Sequence, residues 1–286
     1  MQGRAGLNLL KLKVWFVTIG YTDVAPRDEY AVPEAVPHNI SSDEIDCLQD
    51  LETRVRWLSS WIIHHANNIR EQTDDLKVGG HQASCASAVT LMTALYFNSL
   101  RPYDRVAVKP HASPVFHAIQ YLLGCQSRKN IENFRAMNGA QSYPSRTKDT
   151  DDVDVSTGSV GLGPAMVNFL SIVQDYLRRH DSAMQRREPG RMIAIVGDAE
   201  MDEGNMYEAL WEGWKHGLRN SWWIIDYNRQ SLDGVVTDHL FRLIDRLFRT
   251  TGWRVLTLKY GKRMIAAFKK PGGKALKKWI NDCPND

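Results

Sequence analysis

The chain has 286 residues, of which 43% are hydrophobic and 24% are charged. This composition excludes a disordered tail or linker and allows one large core or two small ones. The 36 Lys and Arg residues nearly balance the 33 Asp and Glu residues, which leaves a formal charge of +3. This near equality of basic and acidic residues argues against a dedicated nucleic-acid-binding protein.

The four cysteines are far apart in the sequence and form no Cys-x-x-Cys pair: Cys47, Cys85, Cys125 and Cys283. Their spacing favours neither a zinc site nor a disulfide framework. A reducing intracellular compartment fits this pattern best, and we expect a cytoplasmic protein.

The N-terminal stretch is predicted to lie outside the main fold. Its most apolar part, residues 7–19, is interrupted by Lys11 and Lys13 and is shorter than the roughly 20 residues that a membrane span needs. We therefore expect no membrane association, and no signal-peptide cleavage pattern follows. Three prolines between residues 24 and 42 predict extended, irregular chain. We interpret residues 1–42 as an irregular arm and residues 43–286 as the folded domain.

The domain is predicted to begin with two long helices. Ser41 and the acidic residues after it are typical of a helix N-terminus, and apolar residues recur at helical spacing as far as Arg70. Gly79 and Gly80 predict a turn, and the proline-free run 83–100, rich in Ala, Ser, Met and Leu, predicts a closely packed second helix.

The following elements alternate between strand and helix. This alternation predicts a mostly parallel sheet covered by helices on both faces, an α/β fold whose ligands bind at the carboxyl ends of the strands. The predicted strands are 105–109, 192–196, 222–227 and 253–258, and the predicted helices are 115–123, 166–179, 207–216 and 240–250. Eleven basic and no acidic residues follow between 246 and 278, which we interpret as a solvated surface or a surface for a partner rather than a nucleic-acid site.

Polar residues follow two of the apolar strands. Asp198 comes just after the strand at 192–196, and Asn228 just after the strand at 222–227. A parallel sheet would bring both to the same edge, where they could act with the backbone carbonyl of Gln230 as hard oxygen ligands for Mg²⁺ or Ca²⁺. A single Gly-Asp at a strand end is more typical of a turn or helix cap, but the two halves together favour a metal site that holds a diphosphate.

The pair resembles the Gly-Asp-Gly and Asn signature of thiamine-diphosphate enzymes. The longer runs at 197–203 (Gly-Asp-Ala-Glu-Met-Asp-Glu) and 228–234 (Asn-Arg-Gln-Ser-Leu-Asp-Gly) are similar to those of homodimeric pyruvate dehydrogenases in the transketolase-like superfamily. Ala199 departs from the signature, which has glycine there. The resemblance extends over residues 50–286 and implies a thiamine-diphosphate-binding fold with thiamine diphosphate and Mg²⁺ as cofactors.

Four other loops are similar to loops of this family: 79–84, 110–114, 143–144 and 157–164. Isolated histidines are most often surface or capping residues, but His81 and His111 both lie in small-residue loops at predicted element ends. They are candidates for binding a substrate carboxylate or moving protons. The resemblance further implies that Asp198, Asn228 and Gln230 hold the metal. The cofactor-binding residues that it implies are Ser84, Tyr143, Ser159, Val160, Gly161, Leu162, Gly197, Asp198, Ala199, Glu200, Asn228, Gln230 and Leu232.

The resemblance implies oxidative decarboxylation of pyruvate with acetyl transfer to a lipoyl-bearing acyltransferase component. In this family a glutamate on a pyrimidine-binding domain activates the cofactor. We expect that domain and the C-terminal domain to be absent here. The chain would then need a pyrimidine-domain chain or a second subunit, would be inactive without it, and would expose an apolar interface that favours homo-oligomers.

Two alternatives to a pyruvate dehydrogenase remain open. Transketolase-like enzymes share the same signatures and can occur as split chains, so this chain could be the N-terminal subunit of an enzyme that transfers two-carbon ketol units. It could also be an inactive remnant or a binding module.

Overall fold

The computed structural model describes residues 16–22, 40–71, 77–231, 234–235 and 240–282. These residues form an α/β domain around a five-stranded sheet, with a small hairpin beside it. The strands of the sheet are β1 Phe16–Thr22, β2 Arg105–Ala107, β3 Met192–Gly197, β4 Ser221–Tyr227 and β7 Trp253–Lys259, and those of the hairpin are β5 Gln230–Ser231 and β6 Gly234–Val235. The helices are α1 Ser42–His64, α2 Gln82–Ala94, α3 Ser113–Leu122, α4 Arg128–Glu132, α5 Leu162–His180, α6 Ser182–Gln185, α7 Gly204–Lys215, α8 Leu240–Thr250, α9 Lys262–Phe268 and α10 Gly273–Asn281.

The strands of the sheet lie in the order β2, β3, β4, β1, β7. β2, β3 and β4 are parallel neighbours, whereas β1 runs antiparallel to both β4 and β7. β7 therefore points the same way as β2, β3 and β4, so that four of the five strands share one direction. The predicted mostly parallel α/β fold is confirmed.

The predicted irregular arm is wrong for residues 16–22, which form β1 inside the sheet. Six of these seven residues are β-branched or aromatic, a composition that favours strands. The apolar residues 7–19 were interpreted only as a possible membrane or export segment, and a strand was therefore not predicted here. Residues 23–39, most of the proline-rich part, lie outside the described residues.

The sheet divides the core into two layers by the alternation of its side chains. On β3, Ile193 and Ile195 pack against α1, α2 and α3, while Ala194 and Val196 pack against α5, α7 and α8. Because successive side chains of a strand point to opposite faces, one apolar strand can serve both layers. Helices cover both faces of β3 and β4, whereas β7 at the edge of the sheet keeps Leu256 and Leu258 exposed.

Helix boundaries largely follow the sequence signals. Ser41 and Glu44 form a capping box, in which the Ser41 hydroxyl accepts the Glu44 N–H at 3.3 Å and the Glu44 carboxylate accepts the Ser41 N–H at 2.8 Å. α1 and α2 each end in one π-helical turn, at His65–Ile69 and Leu95–Ser99, close to the predicted ends at 70 and 100. The other predicted helices, and the strands β3, β4 and β7, agree with the structure to within four residues at each end.

β2 is shorter than predicted. It ends at Ala107, and a 3₁₀ helix at Pro110–Ala112 follows instead of a continued strand. Pro110 has no N–H for a ladder hydrogen bond, and its ring favours the first turn of a helix. The shorter strand places Lys109 and His111 at the carboxyl edge of the sheet.

Two surfaces stand out on the described part of the chain. All basic residues between 246 and 278 except Lys259 are exposed, in agreement with the predicted solvated surface. α5 and α7 lie side by side, joined by a hydrogen bond from the Asn168 amide to the Ala209 carbonyl oxygen at 2.7 Å. They carry a row of exposed apolar side chains, called here the α5–α7 face: Leu162, Met166, Phe169, Val173, Tyr176, Leu177, Tyr207, Trp211 and Trp214.

We find no helix in the described ranges that is both long enough and apolar enough to cross a bilayer.

Candidate functional site

The candidate site lies where β2, β3 and β4 end. Lys109 follows β2, Asp198 follows β3 and Asn228 follows β4. The second turn of α2 and the start of α5 approach the same edge, because Ser87 of α2 bonds to the end of β4 and Gly161 before α5 bonds to Glu200 beyond β3. In open α/β sheets, ligands bind at this carboxyl edge.

Asp198 joins the ends of β3 and β4. Its carboxylate is buried, and its Oδ2 accepts a hydrogen bond from the backbone N–H of Arg229 at 2.6 Å. Arg229 has a left-handed φ of 61°, which turns the chain sharply after Asn228. Asp198 and Asn228, predicted to meet from positions thirty residues apart, are thereby brought together.

Burial raises the pKa of Asp198 to about 6. The negative charge of Asp226 contributes in the same direction, whereas the hydrogen bond from Arg229 and the positive charge of Lys109 oppose the rise. A carboxylate that is costly to keep ionised in the empty protein gains from a nearby cation. This environment suits a metal ligand.

A buried polar cluster lies beside Asp198. The Lys109 ammonium is 2.6 Å from Oδ2 of Asp226, and both side chains are almost fully buried. The Ser87 hydroxyl lies 2.5 Å from the same oxygen, and the Asn228 amide nitrogen donates to Ser87 at 3.0 Å. The cluster connects α2, the segment after β2 and the end of β4.

Glu200 holds the glycine loop against the end of β3. One carboxylate oxygen accepts the N–H of Gly161 at 3.0 Å and the other accepts the N–H of Gly197 at 2.9 Å. Gly161 has a φ of 79°, and a Cβ there would lie 2.4 Å from the Asn205 side-chain oxygen. Glycine is thus required by both the backbone angle and the space. In this arrangement Glu200 supports the loop.

His81 and His111 stack on one another. Their ring centroids are 4.2 Å apart, with 35° between the planes. His81 precedes the first turn of α2, and the Cys85 thiol donates to the His111 carbonyl oxygen at 3.3 Å, which ties the two loops together. Both side chains reach solvent at the mouth of the site. The predicted histidine pair is therefore brought together.

The His111 ring is neutral at physiological pH. Partial desolvation is the main cause that lowers its pKa to about 4, and the positive charges of His81, Lys109 and Arg135 lower it further. A neutral imidazole offers a lone pair to a proton and an N–H to a substrate oxygen.

The loop with Tyr143 is held by a buried ion pair. His117 Nδ1 lies 2.5 Å from Asp151 Oδ2, and its Nε2–H donates to the Gln141 carbonyl oxygen at 2.9 Å. Burial lowers the pKa of His117, but the hydrogen bond and charge of Asp151 outweigh this effect and raise it. The loop is thereby fixed two residues before Tyr143, which is 41% exposed.

The remaining predicted cofactor residues lie in segments around the same edge. Thr157 donates its hydroxyl to the Val108 carbonyl oxygen at 2.8 Å and its N–H to the Pro144 carbonyl oxygen at 3.3 Å, so the glycine loop neighbours both β2 and the Tyr143 loop. In the glycine loop and at the start of α5, Val160 is half-buried, whereas Ser159 and Leu162 are exposed. Ser84 in α2 and Ala199 after β3 are also half-buried. Leu232 lies outside the described residues.

The oxygen atoms at this edge fit a hard divalent cation. Asp198 supplies a buried carboxylate beside Asn228, and Oδ1 of Asp226 is buried without a hydrogen-bond partner in the described part of the chain. Residues 40–71, 77–231 and 240–282 contain no group of three His, Cys, Asp or Glu side chains arranged for a metal, but the predicted site needs only one carboxylate. Gln230 begins β5 two residues after Asn228, and its carbonyl as a third ligand remains a prediction.

Sequence reasoning missed Ser87, Lys109 and Asp226. A signal existed for two of them, because Lys109 and Asp226 are charged residues within predicted apolar strands. A charge there has to find a partner when it is buried. Nothing in the sequence marked Ser87 among the small residues of α2.

Residues 96–275 match the family model described as transketolase, thiamine diphosphate binding domain. The chain belongs to this family. Membership confirms the resemblance drawn from the two halves of the signature and makes the chain a thiamine-diphosphate-binding domain of the transketolase-like type.

Among curated relatives, the chain is similar to proteins named pyruvate dehydrogenase E1 component. It is 28% identical to that of Mycobacterium tuberculosis over 254 residues, covering 83% of this chain and 27% of the relative. It is also 28% identical to that of Escherichia coli K12 over 244 residues, covering 82% of this chain and 27% of the relative. The chain thus spans about a quarter of the length of the curated relatives it matches.

Solved transketolases share the fold of this family member. The structure superposes on transketolase from Leishmania mexicana with a TM-score of 0.62 at 18% identity, covering 72% of this chain and 31% of the other. For Campylobacter jejuni transketolase the TM-score is 0.61 at 22% identity, with coverages of 72% and 32%. At these identities the likeness describes the fold alone.

Proposed function

We propose that this domain binds Mg²⁺ and thiamine diphosphate as the N-terminal part of a pyruvate dehydrogenase E1-type enzyme. Oxidative decarboxylation of pyruvate, with acetyl transfer to a lipoyl-bearing acyltransferase component, is the reaction. The observation that carries the proposal is the meeting of Asp198 and Asn228, the two halves of the signature, at one sheet edge. Similarity to E1 components over more than four-fifths of this chain supports pyruvate as the substrate.

In this proposal the sheet edge holds the diphosphate end of the cofactor. Asp198, Asn228 and the carbonyl of Gln230 would bind Mg²⁺, and the cation would help to hold the diphosphate. Glu200 sets the glycine loop, so that Val160, Gly161 and Leu162 line the cofactor. When bound, thiamine diphosphate supplies the electron sink for loss of CO₂ from a 2-oxo acid.

His81 and His111 lie at the mouth of the site and act on the substrate. Since His111 is neutral, it donates a hydrogen bond to the pyruvate carboxylate or accepts a proton without first losing one. Its stacked neighbour His81 shares this side of the site. Neither ring is a metal ligand in this scheme.

The complete enzyme needs more than this domain. We assign activation of the cofactor to a pyrimidine-binding domain from another chain or subunit, in a homo-oligomer of cytoplasmic location. A transketolase-type split subunit is the second candidate, because the matching family model is described as transketolase, thiamine diphosphate binding domain.

The first test is a binding measurement. Isothermal titration of the purified chain with thiamine diphosphate should show saturable binding that requires Mg²⁺ and disappears with EDTA. Absence of binding at millimolar cofactor would contradict the proposal and favour an inactive remnant or binding module.

The second test is reconstitution with a chain that carries the pyrimidine-binding domain of an E1 component. Turnover of pyruvate should appear in proportion to the complex formed, and turnover of ketose phosphates instead would favour the transketolase alternative.

His81→Ala and His111→Ala should each lower this turnover by roughly 10²- to 10⁴-fold, as expected for acid–base groups, while calorimetry shows unchanged cofactor binding. Unchanged turnover in both variants would remove the histidines from the mechanism.

A further inference from the structure

A chain of hydrogen bonds runs behind the proposed metal site from Lys109 to Asn228. Lys109 Nζ contacts Asp226 Oδ2 at 2.6 Å, the Ser87 hydroxyl contacts that oxygen at 2.5 Å, and the Asn228 amide nitrogen contacts Ser87 at 3.0 Å. The first three side chains are almost fully buried. The cluster therefore has few alternative partners.

The number of protons fixes the direction of these bonds. Lys109 has protons only to donate, and the carboxylate of Asp226 beside it can only accept. The Ser87 hydroxyl has one proton, and its other close contacts are acceptors, namely Asp226 and the Ser84 carbonyl oxygen at 2.8 Å. Whichever acceptor takes that proton, Ser87 has none left for Asn228 and must accept from it.

Asn228 must therefore turn its NH₂ group toward Ser87. The amide group is planar, so its oxygen lies on the opposite branch from the nitrogen. This orientation is the one that a metal site requires, because a cation binds an amide through its oxygen. With the amide reversed, two acceptor oxygens would face one another across 3.0 Å.

We propose that Ser87 is a positioning residue that, backed by Asp226 and Lys109, fixes the Asn228 amide with its oxygen toward the divalent cation. The inference rests on the proposed function, since it concerns the same cation. It assigns a role to α2, which supplies none of the predicted metal ligands. It also gives a role to the buried Lys109–Asp226 ion pair, which contacts Ser87 and is assigned no contact with the substrate.

The test compares Ser87→Ala with the parent chain in binding Mn²⁺ in the presence of thiamine diphosphate, followed by electron paramagnetic resonance. We expect Mn²⁺ affinity to fall by roughly 10- to 100-fold, the range for losing a group that orients a metal ligand. Ser87→Thr keeps the hydroxyl and should recover most of the affinity. Ser171→Ala is the matched control, because Ser171 is equally buried but lies on α5, ten residues beyond Gly161.

A second readout needs no metal. In ¹⁵N spectra, the side-chain NH₂ signals of Asn228, identified by their loss in Asn228→Asp, should exchange slowly in the parent chain and rapidly in Ser87→Ala. Equal exchange and equal Mn²⁺ affinity in parent and Ser87→Ala would overturn the inference and leave the proposed function intact. Failure of the parent itself to bind Mn²⁺ would overturn the proposed function and this inference with it.

Discussion

Two buried aspartates at the sheet edge differ in their charge environment. Asp226 is paired with Lys109, and both are hidden from solvent. Asp198 receives a backbone N–H but forms no ion pair with the described residues, and burial raises its pKa to about 6. One carboxylate is thus neutralised by the protein, and the other is left to be neutralised by a ligand. Under the proposed function, Asp226 maintains the fold and Asp198 binds the metal.

The first prediction is that Asp198→Asn stabilises the empty chain at pH 7.5 while abolishing Mg²⁺-dependent binding of thiamine diphosphate. Because the folded-state pKa lies above the ordinary 3.8, the folded chain holds a proton that the unfolded chain releases between pH 3.8 and about 6. Stability from this group therefore falls as the pH rises through that window. Thermal unfolding should show a Tm increase at pH 7.5 that shrinks toward zero near pH 4.

Asp226→Asn provides the contrast for that experiment. It leaves the Lys109 ammonium buried without its counter-charge, and breaking a buried pair costs roughly 3–5 kcal/mol. Its Tm at pH 7.5 should fall well below that of the parent.

An Asp198→Asn variant that binds the cofactor and Mg²⁺ like the parent would contradict the metal assignment.

At the scale of elements, several contacts constrain the start of α5. Gly161 combines a left-handed φ of 79° with a position against Asn205, and its N–H is bound by Glu200. The loop position therefore depends on three elements at once: the turn before α5, the segment after β3 and the first turn of α7. A change in any of them alters the position of the glycine loop.

The second prediction follows from that constraint. Gly161→Ala should lower the Tm and weaken thiamine-diphosphate binding, because the new Cβ meets Asn205 and the backbone angle is strained. Adding Asn205→Ala should recover only part of the loss, since the angle stays strained. The control is Gly204→Ala, where a Cβ meets nothing within 4 Å, and its Tm should be unchanged or slightly higher. Equal Tm values for Gly161→Ala and its control would refute the argument.

The sequence predicts elements well where one signal decides them. The helix after Ser41 and the apolar strand before Asp198 rest on capping and on continuous hydrophobicity, and both are confirmed. The composition of β1 favours a strand, but its place between β4 and β7 could not be predicted because it depends on strands about 200 or more residues away in the chain. The contacts of Ser87 were missed for the same reason, since they exist only after α2 packs against the end of β4.

At the scale of the whole molecule, the α5–α7 face is an apolar surface that the other described residues leave exposed. Its aromatic members are widely exposed, with Tyr176 at 61% and Trp211 at 52%. Contiguous apolar surface of this kind favours association. The chain also spans only about a quarter of the length of its curated relatives.

The third prediction is that the purified chain self-associates through this face. The double variant Phe169→Lys with Trp211→Lys should shift sedimentation toward the monomer, because two charges would have to be buried in the contact. Trp279→Lys is the matched control, since Trp279 is 63% exposed but lies on α10, outside the face. Association that persists in the double variant, or that the control also abolishes, would place the contact elsewhere.

The placement of β1 links the two ends of the chain during synthesis. A ribosome completes Phe16–Thr22 long before it makes β4 or β7, so this segment has to wait with both of its edges unpaired. Pairing across such a sequence separation is slow to form. Within the described sheet, β7 is connected to the other strands only through β1. A protease that removed the first strand would therefore leave β7 without its strand partner in the described sheet, and its attachment would then rest on side-chain packing such as that of Trp253 on Trp223.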